Sequence, residues 1–239
     1  MKSLFGFFGS LVYTVLFFLS VLVFGFVVLL PNLIINERMR WRALTSFAQT
    51  NICMCKYLCG LDHEVIGLEN IPNKPCIVFL KHSSVYELFF ALSFFQPSSF
   101  VAKYELMFVP VIRGAIKAMK CIPVKRGLGR KEVSKVVAKG EKYLNEGRWL
   151  VICPEGTRVR YGETRKYGLS GAVLAKGTGK PVLPVAHNAG YFWGRRSLIK
   201  KPGKITFSIG SQLTTKGLDV SEINKGAQEW IEKEITGLG

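Results

Sequence analysis

The chain has 239 residues, and its 33 Lys and Arg against 16 Asp and Glu give a formal net charge of +17. The length allows one sizeable globular domain with a short appendage, and an apolar fraction of 49% is enough for a packed core. The charge exceeds what the solubility of a small domain requires. It favours an anionic partner, which could be a membrane surface, nucleic acid or a phosphorylated substrate.

An uncharged apolar run extends from Leu4 to Leu30. As a helix its 27 residues would measure about 40 Å, enough to cross a bilayer with some tilt. The run is too long for the apolar part of a signal peptide, and no small-residue cleavage site follows it. Gly6, Gly9 and Gly25 weaken a straight helix, so a membrane hairpin is the alternative. We assign residues 1–32 to this membrane segment.

Residues 33–61 follow as a predicted amphipathic helix at the membrane interface, with Trp41 and Leu44 among its apolar positions. Basic residues are more frequent here than before the apolar run, which only Lys2 precedes, so the positive-inside rule places the rest of the protein in the cytoplasm. Cysteines there should be reduced. Cys53, Cys55, Cys59 and His63 lack the paired C-x2-C spacing of zinc sites, so we expect packed thiols and no metal.

Short apolar strands then alternate with helices through residues 62–239. The predicted strands are His63–Gly67, Cys76–Leu80, Phe100–Lys103, Cys121–Val124, Trp149–Cys153, Pro181–Ala186 and Lys204–Gly210. The predicted helices are Glu87–Phe95, Val111–Met119, Lys131–Asn145, Ser170–Lys176 and Val220–Ile235. This order indicates an α/β domain with a largely parallel or mixed sheet flanked by helices. In such sheets, active groups gather at the carboxyl ends of the strands.

The stretch HSSVYE places His82 and Glu87 after the second strand, five positions apart. Residues five apart in a regular helix do not share a face. A catalytic pair therefore requires His82 in the turn before the helix, with Glu87 in the first turns pointing back. The imidazole would then keep one nitrogen free as a base. The alternative is an unpaired histidine near a glutamate that caps the helix.

Three further strands deliver polar residues to loops. CIPVKRG ends with Lys125 and Arg126, and CPEGTR places a turn directly after its strand, with Glu155 and Arg158 projecting from it. Arginine suits bidentate contact with phosphate. VLPVAH is predicted to be a buried strand that ends in the polar residue His187. The alternative for each of these loops is an ordinary turn with solvated charges and no role in binding.

These four stretches, in this order, resemble the four motifs of the glycerolipid acyltransferase family. PEGTR matches the family's third motif at every position, from Pro154 to Arg158. The first motif is His-x4-Asp in that family, whereas here Glu87 replaces the aspartate. IPVKR, ending in Arg126, and the apolar stretch around Pro184 are similar to the second and fourth. The resemblance covers about residues 63–217.

The resemblance implies an enzyme that transfers an acyl group from acyl-CoA or acyl-carrier protein to the sn-2 hydroxyl of 1-acyl-glycerol 3-phosphate. Phosphatidic acid would be the product, and the enzyme would be located at a membrane, the inner membrane in a bacterium. His82 would be the general base and Glu87 its orienting carboxylate, with no cofactor, no metal and no acyl-enzyme. The residues implied in substrate binding are Lys125, Arg126, Glu155, Gly156, Thr157, Arg158 and Pro184.

Other readings remain open. The acceptor could be another lysophospholipid, glycerol 3-phosphate or a lyso-aminolipid, and the protein could be a non-catalytic membrane binder. Nucleic-acid binding is disfavoured by the apolar run and by the lack of a recognised module. Cys153 is a covalent alternative, although a small buried thiol is the more ordinary role. We expect His63 and His187 to be structural, and an approach of Lys81 to His82 would lower the pKa of that imidazole.

Overall fold

The structure, a computed structural model, describes residues 2–29, 34–125, 127 and 129–238. Its helices are α1 (Lys2–Leu29), α2 (Glu37–Cys59), α3 (Tyr86–Phe94), α4 (Pro110–Ala118), α5 (Arg130–Asn145), α6 (Ser170–Thr178), α7 (Ala189–Phe192) and α8 (Val220–Gly237). Its strands are β1 (Leu61–Ile66), β2 (Ile77–Leu80), β3 (Ser98–Lys103), β4 (Ile122–Val124), β5 (Trp149–Ile152), β6 (Val182–His187) and β7 (Gly203–Ile209).

The strands form one seven-stranded sheet in the order β1-β7-β6-β2-β5-β3-β4. Strands β6, β2, β5, β3 and β4 are parallel to one another. β7 is antiparallel to β6, and β1 is parallel to β7. The predicted mixed α/β sheet is therefore confirmed, and the carboxyl ends of β2, β5 and β6 lie side by side at one edge.

Helices cover both faces of the sheet, which explains why β2 is apolar at every position. Val78 and Leu80 pack with residues of α2, α3 and α4 on one face. Ile77 and Phe79 pack with α5, α6 and α8 on the other. The second face is closely packed, since a Cβ added at Gly171 of α6 would overlap the ring of Phe79.

Helices α1 and α2 form an antiparallel hairpin. Tyr13 donates its hydroxyl hydrogen to Asn51 Oδ1 at 3.3 Å, and the ring of Phe24 contacts that of Phe47. The helices approach most closely at Gly9, where a Cβ would overlap a carbonyl oxygen of α2. The hairpin predicted as an alternative lay within residues 1–32, whereas α1 is a single helix from Lys2 to Leu29 and the observed hairpin pairs it with α2. Small residues at such crossings are typical of helices that pack in membranes.

Helix α1 is the one helix in the described part of the chain that is long and apolar enough to cross a membrane, over Gly6–Val27. It packs along the domain, since near its other end a Cβ at Gly25 would overlap Val111 of α4. Its outer face consists of exposed apolar side chains: Phe7, Phe8, Leu11, Val12, Val15, Phe18, Leu19, Leu22, Val23 and Phe26. This face is compatible with membrane association.

The predicted strands and helices after residue 62 are all present, with boundaries within two residues of those expected. Sequence patterns did not predict α7 or the 3-10 turns at Leu68–Asn70 and Tyr104–Phe108. The division into segments 1–32, 33–61 and 62–239 stays a prediction, because α1 and α2 both pack on the domain that follows.

Candidate active site

His82 lies in the turn between β2 and α3, and Glu87 lies in the first turn of α3. This is the arrangement that the spacing required. His82 Nδ1 forms a short hydrogen bond with Glu87 Oε1. Because Nδ1 is engaged by the carboxylate, Nε2 is the nitrogen left for a substrate. The imidazole is a quarter exposed, whereas the carboxylate is buried.

Three further N–H groups hold the other oxygen of Glu87. The backbone N–H groups of Ser83 and Ser84 donate to Oε2 at 3.0 and 2.8 Å. His187 Nε2 lies 3.1 Å from the same oxygen. Both carboxylate oxygens are therefore occupied, and a buried carboxylate needs this number of donors to stay charged.

The pKa values of the pair follow from burial and mutual charge. Burial would raise the pKa of Glu87, but His82 and the hydrogen bond from His187 lower it to about 2. Burial alone would lower the pKa of His82, whereas its contacts with the Cys153 sulfur and with the Glu87 carboxylate raise that pKa above the usual range of histidine. The pair is thus a carboxylate beside a strengthened base.

His187 reaches this site from the adjacent strand. In the parallel pairing, Val185 of β6 is opposite Leu80 of β2, so His187 ends level with His82. Its Nδ1 accepts from Ala189 N–H at 3.2 Å, so the ring hydrogen is on Nε2, which donates to the Lys81 carbonyl oxygen at 2.8 Å and faces Glu87. The expectation that His187 is structural overlooked this contact. Its position at the end of a buried apolar strand was the available signal.

The PEGTR loop packs directly against the His82 turn. Gly156 N–H donates to the Cys153 carbonyl oxygen at 3.0 Å, and Gly156 has a φ of +68°, which glycine adopts without strain. Val159 N–H donates to the His82 carbonyl oxygen at 2.8 Å. Glu155 points inward and accepts from His82 N–H at 3.4 Å. Its second oxygen is buried and, within the described ranges, has no hydrogen-bond partner.

Lys81 directs its ammonium to two carboxylates and is not among the groups that shift the pKa of His82, so the condition for a lowered pKa is not met. Its Nζ lies 2.6 Å from Glu232 Oε1 of α8 and 3.4 Å from Glu155 Oε1. Tyr167 donates to the same oxygen of Glu232 at 3.2 Å. Burial raises the pKa of Glu155 despite the neighbouring ammonium. Lys81 therefore ties the PEGTR loop to the C-terminal helix.

The remaining predicted binding residues differ in position. Thr157 and Arg158 are half-buried beside Gly156, and Pro184 is buried within β6. Lys125 is exposed after the edge strand β4, with its ammonium 4.6 Å from the centre of the Tyr104 ring. β4 is three strands from β2, which corresponds to about 14 Å. Arg126 lies outside the described residues.

Cys153 adjoins the pair, and one ligand atom from each of His82, Glu87 and Cys153 falls within 4.8 Å of the others. In the described part of the chain this is the one group that could hold a metal ion. Burial raises the pKa of the Cys153 thiol. A protonated thiol is a poor nucleophile and a poor metal ligand, so this environment does not favour either role for Cys153. The cysteines of α2 form no such group among the residues that the structure describes.

The sheet order and the polar groups at the ends of β2, β5 and β6 define an α/β domain with a candidate active site at one edge of its sheet. A family model described as Acyltransferase matches residues 62–188. The 1-acyl-sn-glycerol-3-phosphate acyltransferase of Pseudomonas aeruginosa is 36% identical over 94% of this chain and 91% of its own length. That of Borreliella burgdorferi is 33% identical over 59% of this chain and 57% of its own length.

Among solved structures, the 1-acyl-sn-glycerophosphate acyltransferase of Thermotoga maritima superposes with a TM-score of 0.82 at 22% identity, covering 100% of this chain and 98% of that one. That likeness shows the fold. The chain belongs to the Acyltransferase family, and the protein is an acyltransferase.

Proposed function

We propose that the protein transfers an acyl group from an acyl thioester to the free sn-2 hydroxyl of 1-acyl-glycerol 3-phosphate, giving phosphatidic acid. The observation that carries this proposal is the His82–Glu87 pair, whose carboxylate is fully engaged while Nε2 of the histidine is left for a substrate. The relatives named above act on the same acceptor according to their names.

His82 Nε2 takes the proton of the acceptor hydroxyl while the hydroxyl oxygen attacks the thioester carbonyl carbon. A carbon–oxygen bond forms, and the carbon–sulfur bond then breaks. The imidazolium returns its proton to the departing thiolate, so no acyl-enzyme is needed. Glu87 keeps the imidazole in place and stabilises the imidazolium, as the carboxylate does in a catalytic triad. Holding both substrates side by side contributes by proximity.

The acceptor phosphate binds to arginine in this proposal. Arg158 is half-buried beside the His82 turn, and within the described ranges no acidic side chain forms an ion pair with it. Gly156 and Thr157 belong to the same loop. Glu155 joins this loop to the catalytic turn by accepting a hydrogen bond from His82 N–H. Lys125, at the far edge of the parallel strands, would engage a more distant part of the acceptor or the donor. Arg126, which lies outside the described residues, is kept as a binding residue on the resemblance alone.

We place the protein on the cytoplasmic face of a membrane, the inner membrane in a bacterium. Helix α1 packs on the domain from Ser10 to Gly25, so it cannot stand across a bilayer without immersing the domain. It therefore lies along the interface, with its exposed apolar face toward the acyl chains. Membrane lipids and the acyl donor, as acyl-CoA or acyl-carrier protein, are the partners. No cofactor, metal or nucleic acid takes part.

The test is acyl transfer by purified protein in lipid vesicles with a radiolabelled acyl donor, offered on CoA and on carrier protein. The acceptors are 1-acyl-glycerol 3-phosphate, a lysophospholipid with a larger headgroup, glycerol 3-phosphate and a lyso-aminolipid. We expect labelled phosphatidic acid and at least about tenfold preference for the first acceptor, because a phosphate monoester suits bidentate contact with the Arg158 guanidinium. Arg158→Gln should reduce that preference. Equal use of the lysophospholipid with the larger headgroup would contradict the proposal.

A further inference from the structure

The segment Trp193–Lys201 joins α7 to β7 and carries an unusual pair of side chains at its tip. Leu198 and Ile199 are adjacent and 44% and 48% exposed. Arg195 and Arg196 precede them, Lys201 follows them, and all three are exposed. Exposed neighbouring aliphatic residues between basic ones are the pattern of an interfacial segment, because the former suit acyl chains and the latter suit anionic headgroups.

Lys200 fixes this tip to helix α1. Its side chain is buried, and Nζ donates to Thr14 Oγ1 at 2.7 Å and to the Ser10 carbonyl oxygen at 3.4 Å. The same ammonium lies 4.7 Å from the centre of the Tyr13 ring. Lys200 N–H also donates to Ser10 Oγ at 2.9 Å. Leu198 and Ile199 therefore lie beside the helix whose outer face is apolar throughout.

The other end of the segment is joined to the catalytic turn. The Trp193 carbonyl oxygen accepts from Ser84 Oγ at 2.7 Å, and Ser84 N–H is one of the donors that hold Glu87. Arg195 donates to the carbonyl oxygen of Arg158 at 3.4 Å. One short segment thus contacts α1, the Glu87 donors and the PEGTR loop.

We propose that Trp193–Lys201 is a second membrane-contacting element, distinct from α1. Leu198 and Ile199 insert at the acyl-chain boundary next to α1, and Arg195, Arg196 and Lys201 contact anionic lipid headgroups. The element holds the mouth of the His82 site against the bilayer, where the acceptor lipid is dissolved. This inference rests on the proposed function, since it concerns how a membrane-dissolved acceptor reaches the site.

An anionic acyl donor would also be attracted to the three basic residues. It would not explain the exposed aliphatic pair, nor the continuity of that pair with the apolar face of α1. The bilayer accounts for both the charge and the exposed apolar surface, so we take it as the occupant.

The test compares L198D/I199D with Leu169→Asp, which replaces a leucine that is 51% exposed at the start of α6, on the opposite face of the sheet. Each variant is assayed with a long-chain acceptor in vesicles containing anionic phospholipid and with a short-chain, water-soluble acceptor. We expect L198D/I199D to lose at least about fivefold on vesicles and to stay within about twofold on the soluble acceptor. Leu169→Asp should stay within about twofold of wild type on both.

An equal loss on both acceptors, or no loss on either, would overturn the inference. A raised KM for the acyl donor with either acceptor would overturn it too, because it would assign the segment to donor docking. Co-sedimentation with the same vesicles gives a readout that needs no activity. If the wild type transfers no acyl group, the proposed function fails, whereas weaker sedimentation of L198D/I199D than of Leu169→Asp would still support membrane contact.

Discussion

The catalytic cluster and the outer face of α1 are built in opposite ways. In the cluster formed by Lys81, His82, Glu87, Glu155 and His187, most polar atoms have a partner. Some of these contacts are local to the turn after β2, and others reach the ends of β5 and β6 or helix α8. The outer face of α1 consists of apolar side chains that are largely exposed. Buried polar groups require hydrogen-bond partners, whereas a large exposed apolar surface marks contact with a membrane or another protein.

The two regions therefore have different roles in this account: the polar cluster carries the acyl transfer, and the apolar face of α1 locates the protein at the membrane. In the proposed mechanism, the hydrogen bonds around Glu87 orient the base, and the exposed face of α1 brings that base to the membrane. The segment Trp193–Lys201 joins the two regions through Ser84 and Thr14. Substitutions in the cluster should therefore change rate or stability with any acceptor, and substitutions on the membrane side should matter only with lipid acceptors.

The largest effect on stability is expected from Lys81→Met. Removing the ammonium leaves Glu155 and Glu232 without their cation in a site where the lysine is only 4% exposed, and breaking a buried ion pair costs about 3–5 kcal/mol. The free energy of unfolding in denaturant measures the change. Lys120→Met is the matched control, since its 2.7 Å pair with Glu146 is partly exposed and should cost under about 1 kcal/mol. Equal losses would mean that the cluster is not organised by this pair.

Glu87→Gln should lower kcat by about 100-fold or more, because the imidazolium loses its charge partner. The carboxylate raises the pKa of His82, and only the neutral imidazole can take a proton. Without the carboxylate this pKa falls, so the acidic limb of the kcat/KM profile should move to lower pH. Glu87→Asp should keep part of the activity, since the negative charge remains and the side chain is shorter by only one methylene group. A fully active Glu87→Gln protein would remove the carboxylate from the mechanism.

His187→Leu should reduce kcat by about tenfold, since Glu87 Oε2 loses one of its three N–H donors and the carboxylate is free to turn. His187→Gln keeps an N–H group at the same reach, so we expect it to recover most of the loss. Steady-state kinetics of the two variants provide the measurement. Identical rates for both variants would show that the hydrogen bond to Glu87 has no role.

The smallest effect is expected at Cys153. Burial raises the pKa of its thiol, so it stays protonated and does not take the acyl group. Cys153→Ser should keep activity within about twofold of wild type. Intact-mass measurement of wild type mixed with acyl donor alone should show no acylated protein. A stoichiometric adduct that disappears in Cys153→Ser would replace direct transfer with a covalent route.

Much of the fold could be predicted, because alternating short apolar strands and amphipathic helices reflect a sheet that is covered on both faces. The His82–Glu87 geometry could be predicted because it is local and follows from helix rotation. The roles of His187 and Lys81 could not, since their partners are distant in sequence. His187 meets Glu87 only because β6 lies next to β2, and Lys81 meets Glu232 across 151 positions. Sequence spacing carries no information about either contact.

The most direct test of the account is the rate of His82→Ala with saturating acyl donor and a short-chain, water-soluble acceptor, which removes membrane binding from the measurement. We predict a fall in kcat of about 10²- to 10⁴-fold, the usual contribution of a general base. Thermal unfolding should still be cooperative, although at a lower midpoint, because the buried Glu87 carboxylate loses the partner of its Oε1 atom. A His82→Ala protein with kcat within about threefold of wild type would contradict the assignment of His82 as the base.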